Sequence, residues 1–399
     1  MPHVFSHRLA WDRPENALAR AERARRARGE GVLDLTASNP TRVGLPDLGP
    51  RVREALAASA GGAYEPDPAG LPSARAAIAR ELGAAGAPIA PERLLLTASS
   101  SESYAHLFKV LCDPGDAVLV PEPSYPLFEY LARLEGVEPV PYRLAWDGVW
   151  HVDLASLDEA IARASGRARA LVVGNPNNPT GSFLKRAELP ALAARCEAHG
   201  LAAIADEVFA PYAVGDDPTR VRALAAESAF TARVPTFALG GLSKSCGLPQ
   251  LKLGWIAVAG PPSTAGAAIE RLSLVADTYL SVGAPVQAAA ARLLELGRDA
   301  RAAIAARLDA NRAALAAALS PSSPCTALAS EGGWSAIVRV PATRPDEAWA
   351  EALLVDDGVL VHPGYFFELA GGAFLVLSLL PPPDVFAEGV RRLVARCAA

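Results

Sequence analysis

From about residue 92 onward, short apolar runs alternate with longer helical stretches. The runs are "RLLLT" at 93–97, "AVLV" at 117–120, "ARALVVG" at 168–174, "LAAIAD" at 201–206, "PTFALG" at 235–240 and "GWIAVAG" at 254–260. They are unbroken rather than alternating, as strands covered on both faces are, and the helical stretches between them supply the covers. The expected fold class is α/β, with a mostly parallel sheet flanked by helices. In such sheets ligands collect beyond the carboxyl ends of the strands. The residues just after each run are therefore the first candidates for chemistry.

After residue 282 the texture changes. Long Ala/Arg/Leu helix patterns lead to "GGWSAIVRVP" at 332–341 and "AFLVLSLL" at 373–380. Helix runs followed by a few strands predict a second, smaller α+β domain. The expected organisation is an N-terminal segment over 1–45 packing with the small domain, a large α/β domain over 46–285 and the small domain over 286–399. No internal repeat or low-complexity linker interrupts it.

Composition then narrows the function classes. A chain of 399 residues is long enough for a core that excludes water from a site between domains. A net charge of -5 gives no overall reason to bind nucleic acid or anionic lipid. The one basic run, "RAERARRARG" at 20–29, reads as the exposed face of a helix or as a binding patch, the helix face being the simpler account. Charged residues break the apolar stretches well before the roughly 18 residues that a membrane span needs. The N-terminal stretch has no apolar h-region or small-residue cleavage site, so a soluble, cytoplasmic protein is expected. The five cysteines, Cys112, Cys196, Cys246, Cys325 and Cys397, are scattered without CxxC spacing and fit reduced thiols. The histidines show no HxxxH or HExxH spacing, so no metal site is expected.

The strand ends carry a more specific pattern. "LLLTASSSESYAHLF" places Ser99, Ser100 and Ser101 at a strand-to-helix junction, where they either cap the helix or face an anion. "VPEPSYPLFEY" presents Tyr125 between prolines, as a core tyrosine or as an aromatic face for a ligand. "VVGNPNNPTG" offers a run of amides that serves a turn or a ligand contact. "AIADEVFAPY" ends a buried strand in Asp206, a carboxylate that needs a cation, a donor or a helix to cap. Lys244 lies in "GGLSKSCGLPQLKLGW". A phosphate-binding P-loop needs Gly immediately before its Lys, and Ser243 stands there. Taken singly, Lys244 reads as a surface charge; its company changes that reading.

In chain order these elements supply an anion cradle, an aromatic plate, a hydrogen-bonding amide, a carboxylate and a lysine. That set fits a pyridoxal phosphate site. The segments "EPSYPLFE", "NPNNPTG", "DEVF" and "LSKSCGLPQLKLGW", in this order, resemble the class I/II aminotransferases of fold type I, and the resemblance covers most of the chain. It implies that Lys244 forms the Schiff base and shuttles a proton, and that Asp206 pairs with the pyridine nitrogen. Asn178 would hydrogen-bond the ring's 3′-oxygen and Tyr125 would stack on the ring. Ser99, Ser100 and Ser101 would hold the phosphate, with Ser243, Phe209 and Lys252 completing the cofactor set. Tyr64 would reach the phosphate from a neighbouring subunit, which implies a homodimer with shared sites. The "SNPT" at 38–41 makes Asn39 a substrate-side candidate. The implied partners are a small amino donor and a keto acid or aldehyde acceptor.

Four positions depart from the family pattern. Phe209 stands three residues after the aspartate, where a tyrosine is usual, which predicts a raised pKa for the lysine–cofactor imine. Lys252 replaces an arginine eight positions after the lysine, and Gly241 replaces a serine three before it. Val376, just before the "LS" of the last strand, replaces the arginine that grips the substrate carboxylate. Either another residue supplies the cation, with Arg42 and His362 nearest in sequence, or the substrate does not present an α-carboxylate in the usual way. The loop "VHPGYFFEL" at 361–369 adds His362, Tyr365 and Phe366 as substrate contacts or as a packed aromatic corner. The leading expectation is an aminotransferase. A lyase performing β- or γ-elimination on the same scaffold is the alternative, with a noncatalytic protein a third reading.

Overall fold

Leu94, Leu95 and Leu96 send successive side chains to opposite faces of a sheet, and both faces are packed: Leu94 and Leu96 belong to one core, Leu95 to another. The computed structural model describes residues 4–11, 16–59, 61 and 64–399. Its strands, in chain order, are β1 (Leu33–Asp34), β2 (Leu94–Thr97), β3 (Ala117–Glu122), β4 (Glu138–Trp146), β5 (Trp150–Val152), β6 (Ala168–Gly174), β7 (Ala202–Asp206), β8 (Thr236–Gly241), β9 (Gly254–Ala259), β10 (Thr326–Ala327), β11 (Ser335–Val340), β12 (Val359–Leu360), β13 (His362–Pro363) and β14 (Ala373–Ser378).

The large sheet has the order β2-β9-β8-β7-β6-β3-β4-β5. Five central strands run parallel, from β8 through β4. β9 lies antiparallel to both β2 and β8, and β5 folds back on β4 as a hairpin. An apolar run does not reveal its direction, which is why the run at 254–260 reads like its parallel neighbours. The helix Ser100–Leu111 covers one face through Leu107 and Phe108, and the helix Pro72–Ala84 covers the other through Ile78.

The four-stranded sheet has the order β10-β11-β14-β13 and is antiparallel throughout. One of its faces, with Val338, Leu375 and Leu377, packs on Phe386, Val390 and Leu393 of the C-terminal helix. Its other face, with Ile337, Phe374 and Val376, meets Trp150 of the β4–β5 hairpin. Near the N-terminus, β1 pairs in parallel with β12, and Leu18, Leu35 and Val43 enter the same core as β11 and β14. The helix Ala290–Ala318 joins the halves: Leu293 and Leu296 lie in the large-sheet core, Ile304, Leu308 and Leu315 in the other. Among the described residues, no helix is long and apolar enough to cross a membrane.

Candidate active site

The parallel strands end on one side of the sheet, and the residues that follow them converge there. A cavity of about 410 Å³ is lined by Ser99, Ser100 and Ser101 after β2, Tyr125 after β3, Asn178 after β6, Asp206 at the end of β7, and Lys244 after β8. Ser243, Phe209, Lys252 and His362 line it as well. The four-residue helix Leu242–Ser245, which follows β8 directly, holds Lys244 at the mouth of the sheet.

Lys244 is largely buried, and burial lowers the pKa of its amine against the opposing pull of Asp206. Its Nζ lies 5.6 Å from the ring centre of Phe209 and 5.1 Å from that of Trp334. Asp206 shows the reverse shift. Burial raises its carboxyl pKa, opposed by the Val208 N–H, the Tyr104 hydroxyl and the charge of Lys244. Tyr104 donates to its Oδ2 at 3.2 Å and the Val208 N–H to its Oδ1 at 3.3 Å. A buried carboxylate with two donors and a raised pKa has room for a cationic partner.

Ser99 does cap the helix Ser100–Leu111: its Oγ accepts from the Glu102 N–H at 3.2 Å. The cap and the anion-facing position are compatible, because the helix N-terminus opens on the cavity. Asn178 Oδ1 accepts from Ser335 Oγ at 3.1 Å, which leaves the amide's Nδ2 as a donor. Lys252 is in the left-handed region at φ 52°, a conformation that costs a non-glycine residue about 1 kcal/mol or more. At Gly241, a Cβ would lie 3.2 Å from both Gly254 Cα and Leu253 O, so the close pairing of β8 with β9 explains a glycine there.

Other candidates fall elsewhere. Asn39 is occupied as a cap, accepting from the Thr41 N–H at 3.0 Å and from Thr41 Oγ1 at 2.8 Å, and does not line the cavity. Arg42 is exposed and also outside it. Tyr365 turns to solvent while Phe367, two residues on, lines the cavity, and Phe366 packs edge-on against Tyr365 at 4.7 Å. Tyr64 is 71% exposed, beside Leu280 and Ser281 and away from its own chain's cavity. Trp334, Ser335, Tyr104 and Ser378 line the cavity without a signal that singled them out. Tyr104 was reachable in principle, lying one helical turn beyond Ser100 and Ser101 on the same face. Among the described residues, no cluster of His, Cys, Asp or Glu is arranged to hold a metal.

Residues 30–388 match the family model of aminotransferase class I and II. The chain is 30% identical over 398 residues to the arginine–pyruvate transaminase AruH of Pseudomonas aeruginosa, a match covering 98% of this chain and 94% of that one. Its fold is similar to that of an alanine aminotransferase from Pyrococcus furiosus, with a TM-score of 0.84, 24% identity and 99% of each chain covered. It is also similar to the N-succinyldiaminopimelate aminotransferase of Mycobacterium tuberculosis, with a TM-score of 0.77, 28% identity, and 95% of this chain and 96% of that one covered.

Proposed function

This chain belongs to the class I and II aminotransferase family, a pyridoxal phosphate-dependent family, and on that premise we propose that Lys244 is the residue that holds the cofactor covalently. The enzyme is an aminotransferase, moving an amino group from a donor amine to a carbonyl acceptor. When bound, pyridoxal phosphate supplies a carbonyl that captures amines and a ring that accepts electrons from the carbon beside the nitrogen. The cavity residues fit that group. Asp206, whose pKa burial has raised, would gain a cationic partner in a protonated ring nitrogen and would keep that proton in place. Asn178 Nδ2 would donate to the ring oxygen, and Tyr125 would cover a ring face.

Ser99, Ser100, Ser101 and Lys252 would hold the phosphate; the lysine would supply charge without the bidentate fork of an arginine. Phe209 and Trp334 keep water from Lys244 Nζ. The amine of Lys244, neutral more often than a solvated lysine because it is buried, takes a proton from the donor's amine-bearing carbon and returns it on the other side of the transfer. The reading includes a homodimer, in which the exposed Tyr64 reaches the phosphate of the neighbouring subunit. The free state of all five cysteines supports a reducing compartment, the cytoplasm.

The observation that carries this reading is the pairing of Lys244 and Asp206 at adjacent strand ends, facing one cavity with oppositely shifted pKa values. The test is borohydride reduction of the loaded enzyme followed by peptide mass mapping. The cofactor's mass is expected on the peptide containing Lys244 and absent in Lys244→Ala. Recovery on another lysine, or on none, sinks the assignment. Release of ammonia and a keto product without an acceptor would replace transamination with elimination.

A further inference from the structure

The cavity has two walls of different chemistry. The wall from the large sheet carries the charges: Lys244, Asp206 and Lys252, with the three serines. The wall from the smaller sheet presents Trp334, Ser335, His362, Phe367, Val376 and Ser378. Val376, 1% exposed, pairs in register with His362 and Ile337 and belongs to an apolar cluster with Phe367, Phe374 and Trp150.

The polar groups of this second wall are already engaged or uncharged. Ser335 Oγ donates to Asn178, and Ser378 Oγ donates to the Ala37 carbonyl at 2.7 Å while accepting from the Leu380 N–H at 3.2 Å. Burial lowers the His362 pKa, with Asp34 opposing, so its ring is biased toward the neutral form. Among the described lining residues the remaining cations are Lys244 and Lys252, both committed under the proposed function. A carboxylate set against Val376 would be desolvated without a counter-charge from this chain, an arrangement that costs several kcal/mol.

We propose that this enzyme transaminates substrates whose reacting carbon bears no carboxylate: primary amines as donors and aldehydes or ketones as acceptors, with an aromatic or aliphatic group packed on Trp334, Phe367 and Val376. This rests on the proposed role of Lys244. The reaction balances without another reagent. The donor's C–N bond is replaced by C=O, with oxygen from water; the acceptor's C=O becomes C–NH₂, returning the water. The donor is oxidised and the acceptor reduced by the same electron pair.

Holoenzyme is given 2-phenylethylamine or L-phenylalanine without acceptor, and the conversion of its visible spectrum is timed. The amine is expected to have at least a tenfold higher kcat/KM. Phenylalanine reacting as well or better overturns the inference, as does reaction of neither donor. The borohydride map separates the causes, since a labelled Lys244 with the wrong preference leaves the cofactor assignment standing. In Val376→Arg, the preference is expected to move toward phenylalanine by at least tenfold. Because that variant places a charge in an apolar cluster, calorimetry on the unaltered holoenzyme provides a second measurement. 3-Phenylpropan-1-ol is expected to bind at least tenfold more tightly than 3-phenylpropanoate. Equal or tighter binding of the carboxylate overturns the inference.

Discussion

The hydroxyl of Tyr212 donates to the main-chain carbonyl of Lys244 across 2.6 Å. The helix Leu242–Ser245 is a single turn whose Lys244 carbonyl also accepts a longer bond from the Gly247 N–H at 3.4 Å, so the shorter bond from Tyr212 and the ring packing around it help fix where the lysine side chain starts. Tyr212 is 3% exposed and its ring meets Trp334 edge-on at a centroid distance of 5.3 Å, and burial raises the phenol pKa, so the group remains a donor at working pH. Tyr212→Phe keeps the ring and removes the bond. It is expected to cost about 1 kcal/mol of stability and to lower kcat with little change in donor KM. Thermal melting and half-reaction kinetics check both; full activity would mean that the bond does not position Lys244.

A second support comes from the helix that joins the two halves. Arg301 Nε donates to the Ser245 carbonyl at 3.0 Å, while its Nη2 meets Glu81 Oε1 at 2.9 Å; Arg298 Nη2 takes Glu81 Oε2 at 2.9 Å. Burial pushes the Glu81 pKa up, but the two guanidinium groups outweigh it and the net shift is downward. A carboxyl with a depressed folded pKa stabilises the fold above its unfolded value and loses that contribution as pH falls through the folded one. Glu81→Gln is therefore expected to be less stable by about 1 kcal/mol at pH 7, with a shallower loss below pH 4.5 than the parent. Urea titrations at pH 7 and in the acid range check the sign; parallel curves would show that the ion pair carries no net stability.

Adjacent residues in this region serve opposite sides of the sheet. Asp206 and Lys244 face the first cavity, whereas Glu207 and Ser245 line a second one of about 430 Å³. Burial raises the Glu207 pKa to about 8, although the Leu224 N–H donates to its Oε1 at 2.7 Å. Its folded pKa thus exceeds the unfolded one, so the protonated fold is favoured and stability falls as pH rises from about 4.5 to about 8. Glu207→Gln is expected to flatten that slope and to match or exceed the parent's stability at pH 9. Unfolding curves at pH 6 and 9 measure it; an unchanged slope would place the titration elsewhere.

Much of the site was legible because parallel strands deliver their next residues to one edge. Serines 99–101, Tyr125, Asn178, Asp206 and Lys244 each follow an apolar run and meet in the cavity. The β4–β5 hairpin was not legible: Pro139 and Pro141 interrupt a pattern of alternating exposure and remove two ladder donors, as happens near a sheet edge. The phase of the 361–369 loop was also hidden. A 3₁₀ turn over Gly364–Phe367 sends Phe367 inward and Tyr365 outward, a choice made by the turn rather than by residue type. Trp334 precedes a strand that the sequence did show, but its contact with Lys244 joins distant parts of the chain and leaves no local pattern.

The ring of Phe209 lies 5.6 Å from Lys244 Nζ and packs edge-on against Trp334 at 5.3 Å. A phenyl ring there offers no hydrogen to the cofactor's 3′-oxygen, and a tyrosine would. A donor to that oxygen stabilises its negative charge, so a proton shared with the neighbouring nitrogen leaves at lower pH. Phe209→Tyr is expected to move the pH midpoint of the bound cofactor's visible absorption downward by about one pH unit, equivalent to about 1.4 kcal/mol. Phe209→Leu, which removes the ring without adding a donor, is expected to leave the midpoint within a few tenths of the parent. Spectrophotometric titration of the three proteins checks the set. If tyrosine and leucine shift the midpoint equally, the controlling factor is water access to Lys244 rather than a missing donor.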